Sequence, residues 1–562
     1  MNGIKLTSIL KAHFPITHWL PEYKKSFIRW DLIAGVTLAS FVLPESMAYA
    51  TLAGVPSYFG IYCCLAGGLF YALFTTSRQI ATGPTSSISL MVGSTVAVLS
   101  GGDPQRWAAI AGLTALVVAA YCFIAYIFKL SSIVNFISDS ILLGFKAGAA
   151  LSIMSTQLPK LLGVEGGGSN FFTRIWTLLK HLPDTNVTVL AFGLVALAVL
   201  IAGDLFMKGK PVSLMVVVAS ILVITFTNLA TAGIHVAGYI PAGLPAISRP
   251  SLRFRDVDGV LELAFACFLM GYIETISAAR TFALKNNYTI NPRQELLSLG
   301  IANLATAFSS AYVVAGGLSQ STVNDKSGAK TPMSLIICSI ALGLILVYFT
   351  HLLKNLPEVV LAVIVIHAVS GLIKIKELKR IRHLNRMEFN VALIAIGGVL
   401  ILGILKGVMI SVLMSLILLI RRASRPEVAV LGRIGNTAYF SDVIRHPDNI
   451  MIPGIAILRI ESSILYFNAE DVLEKISEHL KTAGPDLRVL ILDLSAAPYV
   501  DVSGSKMLLN LAIEIQKKGK KLRIVEALSG VREILRKQGL EDIVGKISRT
   551  STIIDTISEF KV

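Results

Sequence analysis

Apolar runs close to the ~20 residues needed to cross a bilayer recur along this chain from about residue 31 to about residue 420. Residues 187–206, 211–229 and 333–353 are clear cases, and beyond Arg422 the pattern becomes that of a soluble domain. The pattern predicts fourteen segments, near 31–51, 57–75, 85–100, 107–128, 134–158, 185–204, 211–229, 259–280, 292–308, 317–331, 333–353, 357–373, 388–405 and 407–421. Two of them depart from the rest. The segments at 85–100 and 317–331 are short and polar, and each follows a Gly or Pro break preceded by a few extended-type residues. Their contexts correspond: RQIATGPTSSISL is third from the start and AYVVAGGLSQSTV is third in the second half.

Two halves of seven segments enter the membrane from opposite sides, so the two broken segments run antiparallel. Paired, interrupted segments of this kind point to a transporter binding site near the bilayer midplane. An extended stretch at that depth leaves backbone polar groups unpaired, so the breaks are expected to face a protein-lined cavity. Each helix that starts there turns free N–H groups and about half a unit of positive charge toward it. Two such ends facing each other make an anion site without a fixed cation. Thr85, Ser86 and Ser87 on one end, and Ser319, Gln320 and Ser321 on the other, are short donors able to complete an oxyanion's hydrogen bonds.

Carboxylates inside apolar segments are the next signal, because a mid-bilayer charge costs at least ~2.5 kcal/mol. Glu45, in FVLPESMAYATLAG, and Glu274, in FLMGYIETISAARTF, fall inside good segments, whereas Glu262 is nearer a boundary. A buried Glu can load a proton or ligate Na⁺, either of which couples anion uptake to an ion gradient. Lys146, in ILLGFKAGAAL, is read as snorkelling to the interface.

From about residue 452 the chain alternates strands and helices: GIAILRI and SILYFN as strands, the helix AEDVLEKISEHLK, the strand RVLILDLS, the helix SGSKMLLNLAIEIQKKG, the strand KLRIVEA, and helices at SGVREILRKQGL and TSTIIDTISEF. Continuous Val/Ile/Leu strands predict a small α/β domain with a covered sheet. The expected organisation is a cytoplasmic N-terminal stretch (1–30), a membrane domain (31–422, with repeats at 31–229 and 259–421), a linker (423–451) and the α/β domain (452–562).

Composition agrees: 54% hydrophobic and 15% charged residues, with a mean hydropathy of +0.70, belong to a membrane protein. The net charge of +16 raises nucleic acid as a partner, but the basic residues fall in alternate loops. Lys24, Lys25, Arg29, Arg78, Lys129, Lys208, Lys210, Arg280, Lys285, Lys326, Lys330, the 374–386 loop, Arg421, Arg422 and Arg425 all lie on one side, cytoplasmic by the positive-inside rule. Both termini are then cytoplasmic, and nucleic acid is not needed. The N-terminus lacks a continuous apolar core and a small-residue cleavage site, so no cleaved signal peptide is expected. The five cysteines lie in apolar runs without metal-ligand spacing, and no cofactor is expected. LSGGDPQR at 99–106 has no phosphate-binding loop to accompany it and reads as an external turn, as Gly166 to Gly168 read as a loop. No His lies in an HExxH or Ser-His-Asp context, so an enzyme is not expected.

These residues resemble the SulP anion transporters, solute-carrier family 26, along the whole chain. RWDLIAGVTLASFVLPESMAYATLAGVPSYFGIY is similar to that family's first two spans, ATGPTSS to its third and LLGFKAGAALSIMSTQLPKLLG to its fifth. VAGYIPAGLP resembles the loop before the eighth span, FLMGYIETISAARTFALKNNYTINPRQELLSLGIANL the eighth and ninth, and GGLSQSTVNDKSGAKTP the tenth. The C-terminal part resembles the family's STAS domain, itself similar to anti-sigma factor antagonists.

The resemblance implies fourteen segments in two inverted seven-span repeats, forming core and gate domains in a homodimer. It implies elevator-like transport of sulfate, bicarbonate, chloride or dicarboxylates. By position, the anion contacts would be Glu45 and Tyr49, Ser86 and Ser87, and Gly317, Leu318, Ser319 and Gln320, with Glu274 matching an acidic residue associated with H⁺ or Na⁺ coupling. Many relatives carry Arg where this chain has Gln320, and Gln where it has Glu45. The lowered local charge favours co-transport with H⁺ or Na⁺ over electroneutral exchange. In AAPYVDVSGSK, Val502 stands where antagonists are phosphorylated on Ser. Ser503 is a weak regulatory candidate, while Asp501 and Ser503 read more simply as turn and helix cap. A cytoplasmic protein partner for the STAS domain stays open. The expectation is a bacterial-type inner-membrane secondary transporter of a small oxyanion, sulfate first and bicarbonate or dicarboxylate next. The alternatives are an exchanger, an uncoupled anion channel or a sensor acting through the STAS domain, and, third, a nucleobase permease, against which the STAS domain argues.

Overall fold

A computed structural model describes residues 14–560, apart from 102, 133–137, 169, 208–210, 228, 230–231, 248 and 251–253. The start of the N-terminal stretch, Gly102 in the 99–106 turn, the first positions of the segment expected at 134–158, and Lys208 and Lys210 lie outside the described residues. The chain folds as two compact units, Met1–Ser415 and Leu416–Val562.

Counting helices of eight or more residues, the first half of unit one runs α1 (Lys25–Leu52), α2 (Tyr58–Phe74), strand β1 (Thr82–Gly83), α3 (Ser86–Ser100), α4 (Pro104–Ile127), α5 (Asp139–Leu162), α6 (Phe171–Lys180), α7 (Val187–Phe206) and α8 (Val212–Phe226). The second half runs α9 (Phe254–Lys285), α10 (Pro292–Ala307), strand β2 (Ala315–Gly316), α11 (Leu318–Lys326), α12 (Met333–Tyr348), α13 (Glu358–Ser370), α14 (Ile375–Leu384), α15 (Arg386–Leu402) and the first part of α16 (Ile404–Ser424), which continues into unit two after Ser415. Both halves open with two helices, a two-residue strand and a helix that starts inside the unit. Each of the fourteen expected segments has a helical counterpart. Among the described residues, seven helices are long and apolar enough to cross a membrane, and α2, α3, α8 and α12 are shorter apolar helices.

Two differences have local causes. The segment expected at 317–331 ends as a helix at Lys326, because Gly328 takes φ +95° and the Ala329 N–H closes back on the Asn324 carbonyl at 3.1 Å. That left-handed stop is one a glycine adopts without a Cβ penalty. The basic stretch at 374–386, expected as a loop, contains α14, whose apolar Ile375, Leu378 and Ile381 recur along one side of a basic helix with no buried residue.

Close helix packing in unit one uses small residues. A Cβ on Gly60 would lie 1.9 Å from the Ser46 carbonyl oxygen, which sets how near α2 comes to α1. One on Gly144 would lie 2.2 Å from the Ala392 carbonyl oxygen, which sets the α5–α15 crossing. Two buried carboxylates, neither singled out by the sequence pattern, tie loops to helices. Glu295 on α10 accepts from the Thr76 N–H at 2.8 Å, the Thr75 hydroxyl at 2.9 Å, and the Tyr71 and Thr76 hydroxyls. Asp31 on α1 accepts from the Lys330 N–H and the Thr331 hydroxyl, each at 2.7 Å.

Unit two is an α/β domain. Its sheet, in the order β4-β3-β5-β6-β7, contains β3 (Val428–Arg433), β4 (Phe440–Asp442), β5 (Ile455–Ile460), β6 (Val489–Asp493) and β7 (Lys521–Val525). The last three are parallel, joined by α17 (Ala469–Thr482) and α18 (Val502–Lys517), with α19 (Ser529–Lys537) and α20 (Ile553–Phe560) following. The stretch expected as a linker, 423–451, supplies β3 and β4: β3 pairs antiparallel with β5, and burial of Val428, Ala429 and Leu431 holds it there. SILYFN is not a strand. Asn468 takes the Leu465 N–H on its side chain and Asp501 takes the Tyr466 N–H, which turns the segment and leaves Tyr466 exposed.

Candidate functional site

The two broken segments meet. Thr82 pairs with Gly316 and Gly83 with Ala315 in a short antiparallel ladder, extended by the Gly317 N–H donating to the Ala81 carbonyl at 3.1 Å. The extended backbone was expected to be satisfied by facing a cavity, and much of it is satisfied by protein instead. Thr275 on α9 accepts from the Gly316 N–H at 2.8 Å, Asn303 on α10 accepts from the Val314 N–H and donates to the Val314 carbonyl, each at 3.0 Å, and Asn324 donates to the Gln79 carbonyl at 3.0 Å. Buried backbone polar groups must be paired somewhere, and these side chains are where.

From that ladder α3 and α11 start in opposite senses. Their first intrahelical bonds are Ser89 N–H to the Thr85 carbonyl at 2.9 Å and Ser321 N–H to the Gly317 carbonyl at 3.0 Å. The amides of Ser86 and Ser87, and of Leu318, Ser319 and Gln320, precede those bonds. Neither cap residue, Thr85 or Gly317, caps its helix with a side chain. Helix starts without a side-chain cap leave N–H groups for some other partner to answer.

What they open onto is a cavity of about 110 Å³ lined by Glu45, Tyr49, Pro84, Thr85, Ser86, Ser87, Lys146, Glu274, Ser277, Ala278, Gly317, Leu318, Ser319, Gln320, Ala368 and Leu372. Of the ten residues expected to contact the anion, nine line it, as does the expected coupling residue Glu274. Ser321 does not: it is fully buried, accepts from the Ala81 N–H at 3.0 Å and donates to the Gly317 carbonyl, so it fastens the break rather than facing the cavity.

The cavity side chains are partly committed to one another. Tyr49 donates to Glu45 Oε1 at 3.0 Å, and Ser87 donates to Glu274 Oε1 at 2.9 Å. The Gln320 amide donates to the Pro84 carbonyl at 3.3 Å, crossing from one break to the other. Three buried polar atoms on this wall have no hydrogen-bond partner: Glu45 Oε2, Thr85 Oγ1 and Gln320 Oε1. A buried polar atom without a partner costs about 1–3 kcal/mol, so the wall is built to receive something polar. Glu45 is 2% exposed, Glu274 half-buried, and Glu262 exposed as its boundary position suggested.

Lys146, expected to snorkel, is half-buried and lines this cavity. The signal was available. Gly144 and Gly148 both pack against α15, and Lys146, two residues from each, projects from the opposite side of α5. A larger cavity of about 690 Å³ adjoins, sharing Lys146, Ser277, Leu318, Ser319, Ala368 and Leu372 and adding Asp139, Asp204, Lys326 and Lys374. Among the described residues no cluster of three or more His, Cys, Asp or Glu is arranged for a metal ion.

In unit two, Asp501 caps α18, accepting from the Gly504 N–H at 2.8 Å with one oxygen and from the Tyr466 N–H at 2.7 Å with the other. Ser503 is exposed on the first turn of the same helix and takes no part in the cap.

Comparison with known proteins agrees with this architecture. Residues 28–395 match the family described as the Sulfate permease family, and residues 446–558 match the STAS domain. The chain is 27% identical to the "Probable sulfate transporter Rv1739c" of Mycobacterium tuberculosis (strain ATCC 25618 / H37Rv) over 96% of each chain. It is 30% identical to the "Probable sulfate transporter 3.3" of Arabidopsis thaliana over 95% of this chain and 88% of that one. Its fold is similar to the murine Solute Carrier 26 family member A9 anion transporter in the inward-facing state, with a TM-score of 0.87 at 22% identity, covering 95% of this chain and 91% of that one.

Proposed function

The chain belongs to the sulfate permease family, and from that premise we propose that it is a secondary active transporter of a small oxyanion, with sulfate first and bicarbonate or dicarboxylate next. The observation that carries this reading is the pair of uncapped helix starts, α3 and α11, opening from an antiparallel ladder onto one cavity. Two helix N-termini and a ring of hydroxyls stabilise negative charge without asking for a particular shape, which suits a tetrahedral or planar oxyanion alike.

Coupling to H⁺ or Na⁺ runs through Glu274. Its bond from Ser87 joins the carboxylate to the first turn of α3, so loading Glu274 releases a hydroxyl toward the anion, and anion and cation reinforce each other. The protein works as fourteen crossings in two inverted repeats, as a homodimer in the inner membrane with both termini cytoplasmic, and the core carries the site by an elevator movement. The larger cavity, with Lys326 and Lys374 on its wall, is the cytoplasmic entrance. Unit two, the STAS domain, is cytoplasmic and offers its α18 start, with Asp501 and exposed Ser503, to a protein partner.

One observation favours a second reading, anion exchange. Lys146 returns to the cavity a fixed positive charge of the kind whose loss argued for symport. Purified protein in liposomes, given labelled sulfate, bicarbonate or dicarboxylate under separately imposed pH and Na⁺ gradients, separates the two. Accumulation against the anion gradient under one imposed cation gradient is expected. Uptake that ignores both cation gradients and requires internal anion is exchange.

A further inference from the structure

The inner cavity holds three ionisable side chains other than Tyr49: the carboxyls of Glu45 and Glu274 and the ammonium of Lys146. With both carboxylates ionised and no lysine, two negative charges would face an incoming anion. With it, the side chains sum to one. Lys146 has no ion-pair or hydrogen-bond partner among the described residues, while Lys285 and Arg106 on other helices of this unit are paired with Asp325 and Asp256. A half-buried lysine without a protein partner leaves its charge for a ligand in the cavity to answer. Its direction is not incidental: a Cβ on Gly144 would lie 2.2 Å from the Ala392 carbonyl oxygen and one on Gly148 3.0 Å from that of Ile396, so the opposite face of α5 is locked against α15. Lys146 lies where the inner and outer cavities share wall, together with Ser319 of α11.

We propose that Lys146 is the fixed cation of the anion site: its ammonium group pairs with the bound oxyanion at the mouth of the inner cavity and makes the site prefer doubly over singly charged anions. This rests on the anion-transport reading above. Because Gln320 contributes no charge to the α11 end, α5 supplies from across the cavity the charge that the two helix ends alone lack. An ammonium is a point charge on a flexible stem, so Lys146 can follow the anion from the outer cavity to the helix ends, a step a rigid guanidinium on α11 could not make.

The test uses full-length protein in neutral-lipid liposomes with labelled sulfate and labelled bicarbonate. Lys146→Gln is expected to raise the KM for sulfate at least tenfold and that for bicarbonate by less than threefold; Lys146→Arg is expected to stay within threefold of the starting protein for both. Lys146→Cys provides a control independent of folding losses, since the five native cysteines are buried and free. Its thiolate, attacking 2-aminoethyl methanethiosulfonate, forms a mixed disulfide and expels methanesulfinate. The added ammonium is expected to recover sulfate uptake, whereas the neutral methyl reagent is not. Unchanged sulfate KM in Lys146→Gln, or equal recovery with both reagents, overturns the proposal while leaving anion transport standing. Absence of sulfate and bicarbonate uptake by the unaltered protein overturns the anion reading, and this inference with it.

Discussion

The Ser87 hydroxyl, in the first turn of α3, donates to Oε1 of Glu274 on α9 at 2.9 Å. One bond thus joins a helix end on the cavity wall, proposed to face the anion, to the carboxylate proposed to load a cation. Ser87 cannot serve both at once: while Glu274 is an ionised acceptor, the hydroxyl is spoken for.

Glu274→Gln therefore abolishes accumulation driven by a cation gradient and leaves anion binding within about threefold, since an amide oxygen still accepts from Ser87. Equilibrium binding and uptake measured on the same preparation check this. Equal accumulation by the variant removes Glu274 from the mechanism.

Gln320→Arg moves the balance the other way. Gln320 is 2% exposed with an unpartnered Oε1 on the cavity wall, and a guanidinium there neutralises Glu45. The variant is expected to transport anions while losing dependence on imposed pH or Na⁺ gradients and gaining dependence on internal anion, read in the same vesicles.

Ser319 and Ser321 are two residues apart and have different tasks. Ser321→Ala leaves the buried Ala81 N–H without its acceptor, a loss of about 1–3 kcal/mol that lowers the detergent-solubilised melting temperature. Ser319→Ala, at an exposed cavity position, is expected to leave melting unchanged and to raise the anion KM. Reversal of the two phenotypes would contradict the geometry.

Glu295→Ala strands several buried donors around Thr75, Thr76 and Tyr71. Each stranded donor costs about 1–3 kcal/mol, so this variant is expected to lose well over 3 kcal/mol and to accumulate poorly as folded protein, judged by size-exclusion profile after solubilisation.

In the STAS domain, burial and then the negative charge of Asp493 push the Glu526 carboxyl above its ordinary value, with Arg459 opposing them. A raised carboxyl in the fold contributes stability below the unfolded value of about 4.3 and loses it as pH rises through the folded value. Glu526→Gln is thus expected to stabilise the domain at neutral pH, the advantage over the parent fading as pH falls through the raised folded value and gone below the unfolded value of about 4.3. Proteolytic resistance of the domain in urea, followed in the full-length protein at both pH values, reads this.

Much of the site was legible because the membrane makes its exceptions visible. Gly-Gly and Gly-Pro breaks between apolar runs are rare enough that ATGPTSS and AGGLSQS identified each other, and Glu45 and Glu274 stood out as charges where charge is expensive. Lys146 on the cavity wall was not legible because a lysine in an apolar helix has the cheap alternative of snorkelling, and only the packing of Gly144 and Gly148 against α15 puts it on the cavity side of α5. Ser321 could not be told from Ser319, since both sit in the same first turn and only the ladder with Ala81 separates them. Glu295 was hidden in a polar helix start, PRQE, where a carboxylate looks ordinary. In the α/β domain the strands that run as Val/Ile/Leu were legible. SILYFN was not, because what turns it is the side chain of its own last residue, Asn468, and that of Asp501 far along the chain.

The central claim, that an oxyanion binds between the α3 and α11 starts, is tested most directly by protection of a single thiol. Ser319→Cys places a reactive group on the cavity wall in a protein whose native cysteines are all buried. Sulfate is expected to slow its modification by a small maleimide, with a midpoint that matches the KM for sulfate uptake by the same variant. Modification that proceeds at the same rate in saturating sulfate, while uptake remains measurable before labelling, would place the anion elsewhere.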